Sequence, residues 1–469
     1  MNLPTALIQS LQNIKGFNEE AFKAVHKSVD QITSVRLNPG KTGNLPTGPC
    51  GQSAIYNQQS QKVPWNDFGY YLKERPSFTL DPLFHAGAYY VQEASSMFLE
   101  EAFKQTVDLT KPLKVLDLCA APGGKSTLIQ SIISKKSLLV SNEVIKTRVN
   151  ILSENITKWG AANVIVTNND PRDFLRLQNY FDVIVVDAPC SGSGLFRKDP
   201  DAIAEWSENN VQLCTQRQQR ILTDIMPSLK DGGVLIYSTC SYSQQEDEAI
   251  ADLLVEQFEV ESLKFITDDD WGIVETISEK RQAFGYRFYP DKVKGEGFFM
   301  AAFKKKQAKT GSVINSGKQK VKPKNKIEKL PAKDIEILKP WLLNTGDYFF
   351  IKQNEEVIAI PIHLEDELVK IQSCLYIKKA GVKLGTIIRN ELIPAHDLAV
   401  SCIINTALPK FEVDKETALQ YLRKKEIKME TGIKGWLLLT HEQLPIGWIK
   451  IIANRINNYY PKEWRILNK

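Results

Sequence analysis

Five short apolar runs, each followed by a longer amphipathic stretch, most strongly constrain the fold of this chain. Parallel strands covered on both faces read as continuous apolar runs, and helices carry the chain back between them. The alternation therefore predicts a doubly wound α/β domain of the Rossmann type, with a helix over 146–159. The runs are KVLDL (114–118), SLLVSNE (137–143), NVIVTNND (163–170), DVIVVDAP (182–189) and GVLIYSTC (233–240).

A loop of small residues, CAAPGGKST (119–127), follows the first predicted strand. Small residues at this place let backbone N–H groups approach a ligand above a helix N-terminus. A P-loop is disfavoured because Cys119 stands where G-x-x-x-x-G-K-[ST] requires glycine, and G-x-G-x-x-G is absent. Glu143 and Asp170 end the next two strands, where carboxylates can accept hydrogen bonds from ribose hydroxyls and an adenine amino group. A ribose-binding site without a pyrophosphate-binding motif indicates S-adenosylmethionine.

Cysteine follows two of the predicted strands, in Asp187-Ala-Pro-Cys190 and Thr239-Cys240. A lone buried cysteine is usually core filler, but two beside a methyl-donor pocket indicate chemistry. C5 of a pyrimidine becomes nucleophilic only after a thiolate adds to C6, which selects cysteine. After methyl transfer a base removes the C5 proton and the thiolate leaves, and Asp187 can stabilise charge at N3. The spacing leaves open which cysteine attacks.

Five motifs together resemble the Nol/Nop/Sun family of RNA cytosine-C5 methyltransferases. The motifs are VQEASSM (91–97), LDLCAAPGGKS (116–126), VDAPCSGSG (186–194), STCSYSQQEDE (238–248) and GYRFYP…GEGFF (285–299). The resemblance implies that Cys240 is the nucleophile and that Cys190 helps to eliminate the enzyme from the product. Asp187 completes the catalytic set, and no metal is expected.

The resemblance also implies a set of contacts with S-adenosylmethionine. The residues are Cys119, Ala120, Ala121, Pro122, Gly123, Gly124, Lys125, Glu143, Asp170 and Asp187. Two roles stay open for Lys125, which could orient Asp187 or contact the methyl donor.

The motifs and the charge distribution divide the chain into five predicted parts. These are an N-terminal accessory, RNA-binding lobe (1–100), the methyltransferase domain (101–303), a basic linker (304–333), a small central domain without an assigned role (334–409) and an α+β domain (410–469). In the last of these, YLRKKEI (421–427) and PIGWIKIIANRINNYYPKEWR (445–465) resemble the C-terminal domain of the same family, which implies a PUA-like, RNA-binding domain. The linker carries 11 lysines against one acidic residue, which suits contact with RNA and a solvated connection about equally. Aromatic residues among basic ones near the C-terminus suit base stacking, and ordinary core packing explains them as well.

The motifs and the resemblance together predict a cytoplasmic RNA cytosine-C5 methyltransferase that uses S-adenosylmethionine; a monomer is favoured, but the sequence does not determine the oligomeric state. The expected partner is RNA, specifically 16S rRNA of the small ribosomal subunit, with the target base flipped into the pocket. The alternatives are a tRNA or 23S rRNA methyltransferase, a non-catalytic RNA-binding assembly factor that keeps a methyltransferase fold and, more weakly, a P-loop NTPase. The chain has no apolar run of membrane-spanning length and no signal-peptide pattern at its start.

Overall fold

The N-terminal lobe combines short helices with a four-stranded antiparallel sheet of order β2-β3-β1-β4. The computed structural model describes residues 2–28, 31–42, 59–307, 328–429, 432–453 and 455–467. The helices of the lobe are α1 (Thr5–Leu11), α2 (Glu19–Lys27), α3 (Pro39–Thr42) and α4 (Pro82–His85), and its strands are β1 (Ser34–Leu37), β2 (Gln59–Lys62), β3 (Gly69–Leu72) and β4 (Tyr89–Val91).

The central sheet of the molecule is parallel in its middle and antiparallel at one side. Its strands are β5 (Lys114–Asp117), β6 (Leu138–Asn142), β7 (Val164–Thr167), β8 (Phe181–Asp187), β9 (Leu229–Thr239), β10 (Val260–Leu263), β11 (Val274–Ile277), β12 (Phe284–Phe288) and β13 (Phe298–Lys305). Its helices are α5 (Leu99–Thr106), α6 (Gly124–Ile132), α7 (Lys146–Trp159), α8 (Ala202–Glu205), α9 (Glu208–Ile225) and α10 (Glu248–Gln257). The strand order is β11-β12-β13-β9-β8-β5-β6-β7, and β10 pairs with β13.

The five predicted strands are β5 to β9, and the predicted helix over 146–159 is α7. Alternate side chains of these strands enter two separate cores, one on each face of the sheet. For example, Leu116 and Ile184 are buried on one face, and Val115 and Val183 on the other. Burial on both faces explains the unbroken apolar runs, and it confirms the prediction of a Rossmann-like domain.

The central part of the chain forms its own sheet and also extends the methyltransferase sheet. Its elements are β14 (Glu328–Lys329), α11 (Ala332–Leu338), β15 (Tyr348–Gln353), β16 (Glu356–Pro361), α12 (Glu365–Cys374), β17 (Ile377–Ala380), β18 (Val382–Ile388), β19 (Glu391–Pro394) and α13 (His396–Ala399). Five strands are ordered β14-β15-β16-β18-β19, whereas β17 pairs antiparallel with β7 at the edge of the large sheet. The central part is therefore joined directly to the methyltransferase domain.

The C-terminal part is an α+β unit, as predicted, and it packs on the N-terminal lobe. Its elements are β20 (Lys410–Glu412), α14 (Lys415–Leu422), β21 (Gly435–His441), β22 (Leu444–Ile452) and β23 (Arg455–Asn458). The four strands are ordered β20-β21-β22-β23, and β20 runs parallel to β21. Val35 and Leu37 of the lobe share one apolar core with Leu437 and Ile446 of this unit.

Most of the predicted basic linker, residues 308–327, lies outside the described residues. Both ends of the predicted linker belong to the flanking sheets, because Lys304 and Lys305 end β13 and Glu328 begins β14. Over the described ranges, no helix is both long and apolar enough to cross a membrane. In that same part of the chain, no group of three or more His, Cys, Asp and Glu side chains could hold a metal ion.

Candidate active site

The two predicted thiols lie against each other at the carboxyl edge of the central sheet. Cys190 follows β8 and Cys240 follows β9, and these strands are parallel neighbours that end side by side. The Sγ atoms of Cys190 and Cys240 are 2.9 Å apart, and both side chains are partly exposed. The structure thus brings two cysteines that are 50 residues apart in sequence into one site.

The surroundings of Cys190 favour the protonated form of its thiol. The hydrogen bond with Cys240, together with burial, raises the pKa of the Cys190 thiol well above its ordinary value. Cys190 therefore keeps its proton at neutral pH. A thiol that stays protonated can donate a hydrogen bond to a neighbouring sulfur, or return a proton to it.

The carboxylate of Glu246 accepts hydrogen bonds from the residues that follow both cysteines. Glu246 is not among the predicted site residues. Its Oε1 accepts a hydrogen bond from the Ser191 amide at 2.8 Å, and its Oε2 accepts one from the Ser191 hydroxyl at 2.6 Å. Oε2 also accepts a bond from the Ser241 hydroxyl at 2.6 Å. Since Ser191 follows Cys190 and Ser241 follows Cys240, this fully buried side chain sets the spacing of the thiols.

We expect Glu246→Gln to lower kcat about 10- to 100-fold and to leave cofactor affinity unchanged. The amide of glutamine has the shape of the carboxylate, but its NH2 group would face donors that now bond to an oxygen, so the loops would separate. Steady-state methyl transfer and cofactor titration measure the two quantities. Glu279→Gln, at an exposed position hydrogen-bonded to Gln244, is the control. Normal turnover by Glu246→Gln would refute the positioning role.

Lys125 forms an ion pair with Asp187, the contact that the first of its two predicted roles requires. Its Nζ is 2.8 Å from Asp187 Oδ2, and the Ser238 hydroxyl donates to Asp187 Oδ1 at 2.8 Å. The ammonium group also lies 5.1 Å from the centre of the Phe298 ring. Asp187 ends β8, three residues before Cys190, so an oriented carboxylate lies at the same sheet edge as the thiols.

Two side chains of α7 donate hydrogen bonds to carbonyl groups of the small-residue loop between β5 and α6. Arg148 Nη2 donates to the Ala121 carbonyl at 2.6 Å, and Asn155 Nδ2 donates to the Pro122 carbonyl at 2.8 Å. Gly123 has a φ of 119°, a left-handed conformation that favours glycine, immediately before α6 begins at Gly124. Burial raises the pKa of the Cys119 thiol, so this third cysteine stays protonated.

Asp117 lies beneath this loop as an unusual buried carboxylate. Its Oδ2 accepts a hydrogen bond from the Ser126 hydroxyl at 2.6 Å, whereas no partner for its Oδ1 is found in the described part of the chain. Burial raises the pKa of Asp117 to about 7. In the sequence, Asp117 lies within the first predicted strand and the motif LDLCAAPGGKS, and neither pattern shows that its carboxylate is buried.

The two acids predicted to bind ribose and adenine end neighbouring strands, Glu143 after β6 and Asp170 after β7. Glu143 is buried, and its Oε1 accepts a hydrogen bond from the Ile145 amide at 2.9 Å. Asp170 is more exposed, and its Oδ1 accepts a bond from the Arg172 amide at 3.2 Å. Asp187, the small-residue loop, both acids and the two thiols therefore lie at the carboxyl ends of the adjacent parallel strands β5 to β9 of the central sheet.

The C-terminal aromatic residues divide into buried and surface groups. Trp448 and Tyr460 are each 1% exposed and belong to apolar cores, which supports the core-packing interpretation for them. Tyr459 is exposed and Trp436 is partly exposed, with one side of it packed against the core of Trp448; their ring centroids are 4.5 Å apart, and the Lys450 ammonium is 4.9 Å from the Trp436 ring. Base stacking is thus possible at the surface pair and not at the buried residues.

Three family descriptions match successive parts of the chain. The 16S rRNA methyltransferase RsmB/F family matches residues 105–304. The N-terminal domain of 16S rRNA methyltransferase RsmF matches residues 3–94, and the methyltransferase RsmF PUA domain matches residues 408–466. The matched ranges follow the N-terminal lobe, the large sheet and the C-terminal unit of the structure.

Curated relatives cover most of the chain. Ribosomal RNA small subunit methyltransferase F of Aeromonas salmonicida is 30% identical over 422 residues, which are 86% of this chain and 85% of the relative. The protein of that name from Escherichia coli (strain K12) is 29% identical over 431 residues, covering 88% and 86%.

Solved structures from Pyrococcus horikoshii share the fold. A methyltransferase homolog protein is 26% identical with a TM-score of 0.50, covering 65% of this chain and 100% of its own. NSun6 with SFG is 19% identical with a TM-score of 0.52, covering 65% and 99%.

The Rossmann-like sheet, with its small-residue loop and the domains that flank it, defines the class of the protein as an RNA methyltransferase. The chain belongs to the RsmB/F family of 16S rRNA methyltransferases, and its N-terminal and PUA domains are those of the F type.

Proposed function

We propose that this protein transfers a methyl group from S-adenosylmethionine to C5 of a cytosine in 16S rRNA, through a covalent bond between Cys240 and C6. The proposal rests on the 2.9 Å contact between the Cys190 and Cys240 sulfur atoms at the carboxyl edge of the methyltransferase sheet. Amino-group methylation has no use for a pair of thiols. Activation of a pyrimidine ring requires one to add and benefits from a second beside it.

The proposed reaction begins when the Cys240 thiolate forms a bond to C6 of the flipped cytosine. The electron pair of the C5–C6 double bond moves towards N3, and Asp187 donates a proton to N3, which neutralises the negative charge that develops there. The proton returns to Asp187 when C5 accepts the methyl group. Lys125 and Ser238 orient Asp187 for this task, at 2.8 Å from its two carboxylate oxygens. Bound S-adenosylmethionine supplies the methyl group that C5 accepts.

Release needs the C5 proton and the Cys240–C6 bond to be lost together. A base takes the proton, its electron pair restores the C5–C6 double bond, and Cys240 departs as a thiolate. Cys190 is held protonated beside Cys240, so it can donate to the departing sulfur. Glu246 keeps the two sulfur atoms in contact during both steps.

The side chains after β5, β6 and β7 fit an adenosine-bearing cofactor. The small-residue loop would contact the methionine portion, Glu143 the ribose hydroxyls and Asp170 the adenine amino group. Among the described residues, Oδ1 of buried Asp117 has no hydrogen-bond partner, so a hydrogen-bond acceptor lies beneath the loop. The arrangement offers acceptors for hydroxyl and amino groups, as this cofactor requires.

We expect the double substitution Trp436→Ala/Tyr459→Ala to weaken RNA binding about 10- to 100-fold without changing cofactor affinity. Each stacked base contributes of the order of 1–3 kcal/mol. Filter binding to a 16S rRNA fragment and cofactor titration are the measurements. Point variants are preferable to deleting residues 410–469, because Tyr460 lies 3.4 Å from His85 of the N-terminal lobe and belongs to the shared core. Unchanged RNA affinity would exclude this surface from RNA recognition.

The proposed function is tested by incubating the protein with S-adenosylmethionine labelled in its methyl group and with separate samples of 16S rRNA, 23S rRNA and tRNA. Digestion to nucleosides and mass spectrometry identify the labelled product. The proposal predicts labelled 5-methylcytidine from 16S rRNA. Label on another atom would refute the chemistry, and label only in tRNA or 23S rRNA would refute the substrate.

A further inference from the structure

The central part of the chain, to which the sequence assigns no role, contacts the loop that carries Asp170 through the segment between α12 and β17. β17 pairs antiparallel with β7, in a register that places Ile377 opposite Thr167 and Ala380 opposite Ile165. The Gly381 amide continues the pairing with a bond to the Val164 carbonyl at 3.1 Å. β17 therefore covers what would otherwise be an open edge of the methyltransferase sheet.

Tyr376, immediately before β17, is bonded through its backbone to the side chain of Asn169. The Tyr376 amide donates to Asn169 Oδ1 at 3.0 Å, and Asn169 Nδ2 donates to the Tyr376 carbonyl at 3.0 Å. The Asn168 amide donates to the same carbonyl at 3.2 Å. Asn169 is 8% exposed, and the residue after it is Asp170, the proposed adenine contact.

A second asparagine extends this link from the Asp170 loop to the small-residue loop. Asn142 Nδ2 donates to the Asn169 carbonyl at 3.0 Å and to the Leu118 carbonyl at 3.1 Å, just before the small-residue loop. Its Oδ1 accepts from the Asn169 amide at 3.0 Å. On the same edge, Asn168 Nδ2 donates to the carbonyl of Glu143 at 2.6 Å.

We propose that the central part of the chain completes the cofactor pocket, with Asn169 as a positioning residue that fixes the Asp170 loop against the backbone of Tyr376. This inference rests on the proposed use of S-adenosylmethionine. A loop at a sheet edge is ordinarily mobile, and holding it in its bound conformation lowers the free-energy cost of binding. The central part thereby acts on cofactor affinity and not on the chemical step.

The test compares Asn169→Ala, Tyr376→Pro and the double variant in the full-length protein. Asn169→Ala removes both side-chain bonds to Tyr376, and Tyr376→Pro removes the donor at the other end. Each single variant should raise the Kd for S-adenosylmethionine about tenfold, with kcat at saturating cofactor and the Kd for RNA unchanged within about twofold. Because both substitutions break one link, the double variant should bind no more weakly than the weaker single variant.

Two controls separate this link from a general loss of stability. Tyr376→Ala removes an exposed ring but keeps both backbone groups, so it should bind cofactor as the unsubstituted protein does. Lys379→Ala breaks an ion pair with Asp397 inside the central part, 2.6 Å in length, and should lower the melting temperature without changing the Kd. Cofactor titration and thermal unfolding give these values.

The outcomes are distinguishable. If the unsubstituted protein does not bind S-adenosylmethionine, the proposed function fails. If it binds and Asn169→Ala binds equally well, or if Lys379→Ala weakens binding as much as Asn169→Ala does, the positioning role of Asn169 is refuted. Additive effects in the double variant would show that Asn169 and Tyr376 act separately, which also overturns the inference.

Discussion

Cys240→Ala should abolish methyl transfer, with kcat lowered by a factor of at least about 10⁴, while S-adenosylmethionine still binds with its normal affinity. The loss is large because the bond to C6 requires a thiolate, and the neighbouring Cys190, whose pKa is raised by burial and its hydrogen bond, stays protonated. Cofactor binding is expected to persist because the groups proposed to hold the cofactor follow β5, β6 and β7, whereas Cys240 follows β9. Methyl transfer to 16S rRNA and cofactor titration measure the two effects.

The control for this substitution is Cys374→Ala, which removes another thiol in the central part of the chain. It should leave turnover within about twofold of normal, since the Cys374 thiol donates to the Arg176 carbonyl at 3.8 Å and takes no part in the contact between the paired thiols. Retained methylation by Cys240→Ala would show that the nucleophile has been misassigned.

Cys190→Ala should trap the enzyme on its RNA. The bond between Cys240 and C6 would still form, but the departing sulfur would lack the thiol that lies 2.9 Å from it, so release should slow by about 10²- to 10⁴-fold. The covalent complex is detected as a band of reduced mobility on a denaturing gel, and it should grow with time when cofactor is present.

The double variant Cys190→Ala/Cys240→Ala should give no such band, because it lacks the attacking thiol. A band that persists in the double variant would come from another residue. Normal turnover of Cys190→Ala without a retarded band would contradict a role for Cys190 in release.

Local sequence patterns are sufficient to predict the five parallel strands of the methyltransferase sheet, but not its antiparallel strands β10 to β13. Strands covered on both faces must be continuously apolar, so the runs that form β5 to β9 are recognisable in the amino-acid sequence, and the helix over 146–159 has the predicted bounds. Parallel neighbours end at one edge, which explains why Cys190 and Cys240 meet.

Contacts between distant segments cannot be predicted in the same way. The pairing of β17 with β7 joins residues about 210 apart, and edge pairing leaves no periodic signal in either segment. Glu246 stands in a polar stretch, SQQEDE, where composition does not tell a buried acceptor from an exposed one. Similarly, Trp448 and Tyr460 are mixed with basic residues in sequence, but their side chains point into cores.

The most direct test of the account uses a 16S rRNA fragment in which the target cytosine carries fluorine at C5. Fluorine replaces the proton that must be lost, so the enzyme should methylate C5 and remain bonded to C6. Protease and nuclease digestion followed by tandem mass spectrometry then locates the nucleotide on the protein. We predict that the methylated nucleotide is attached to Cys240. Attachment to Cys190, or methylation of unsubstituted RNA with no adduct on the fluorinated fragment, would contradict it.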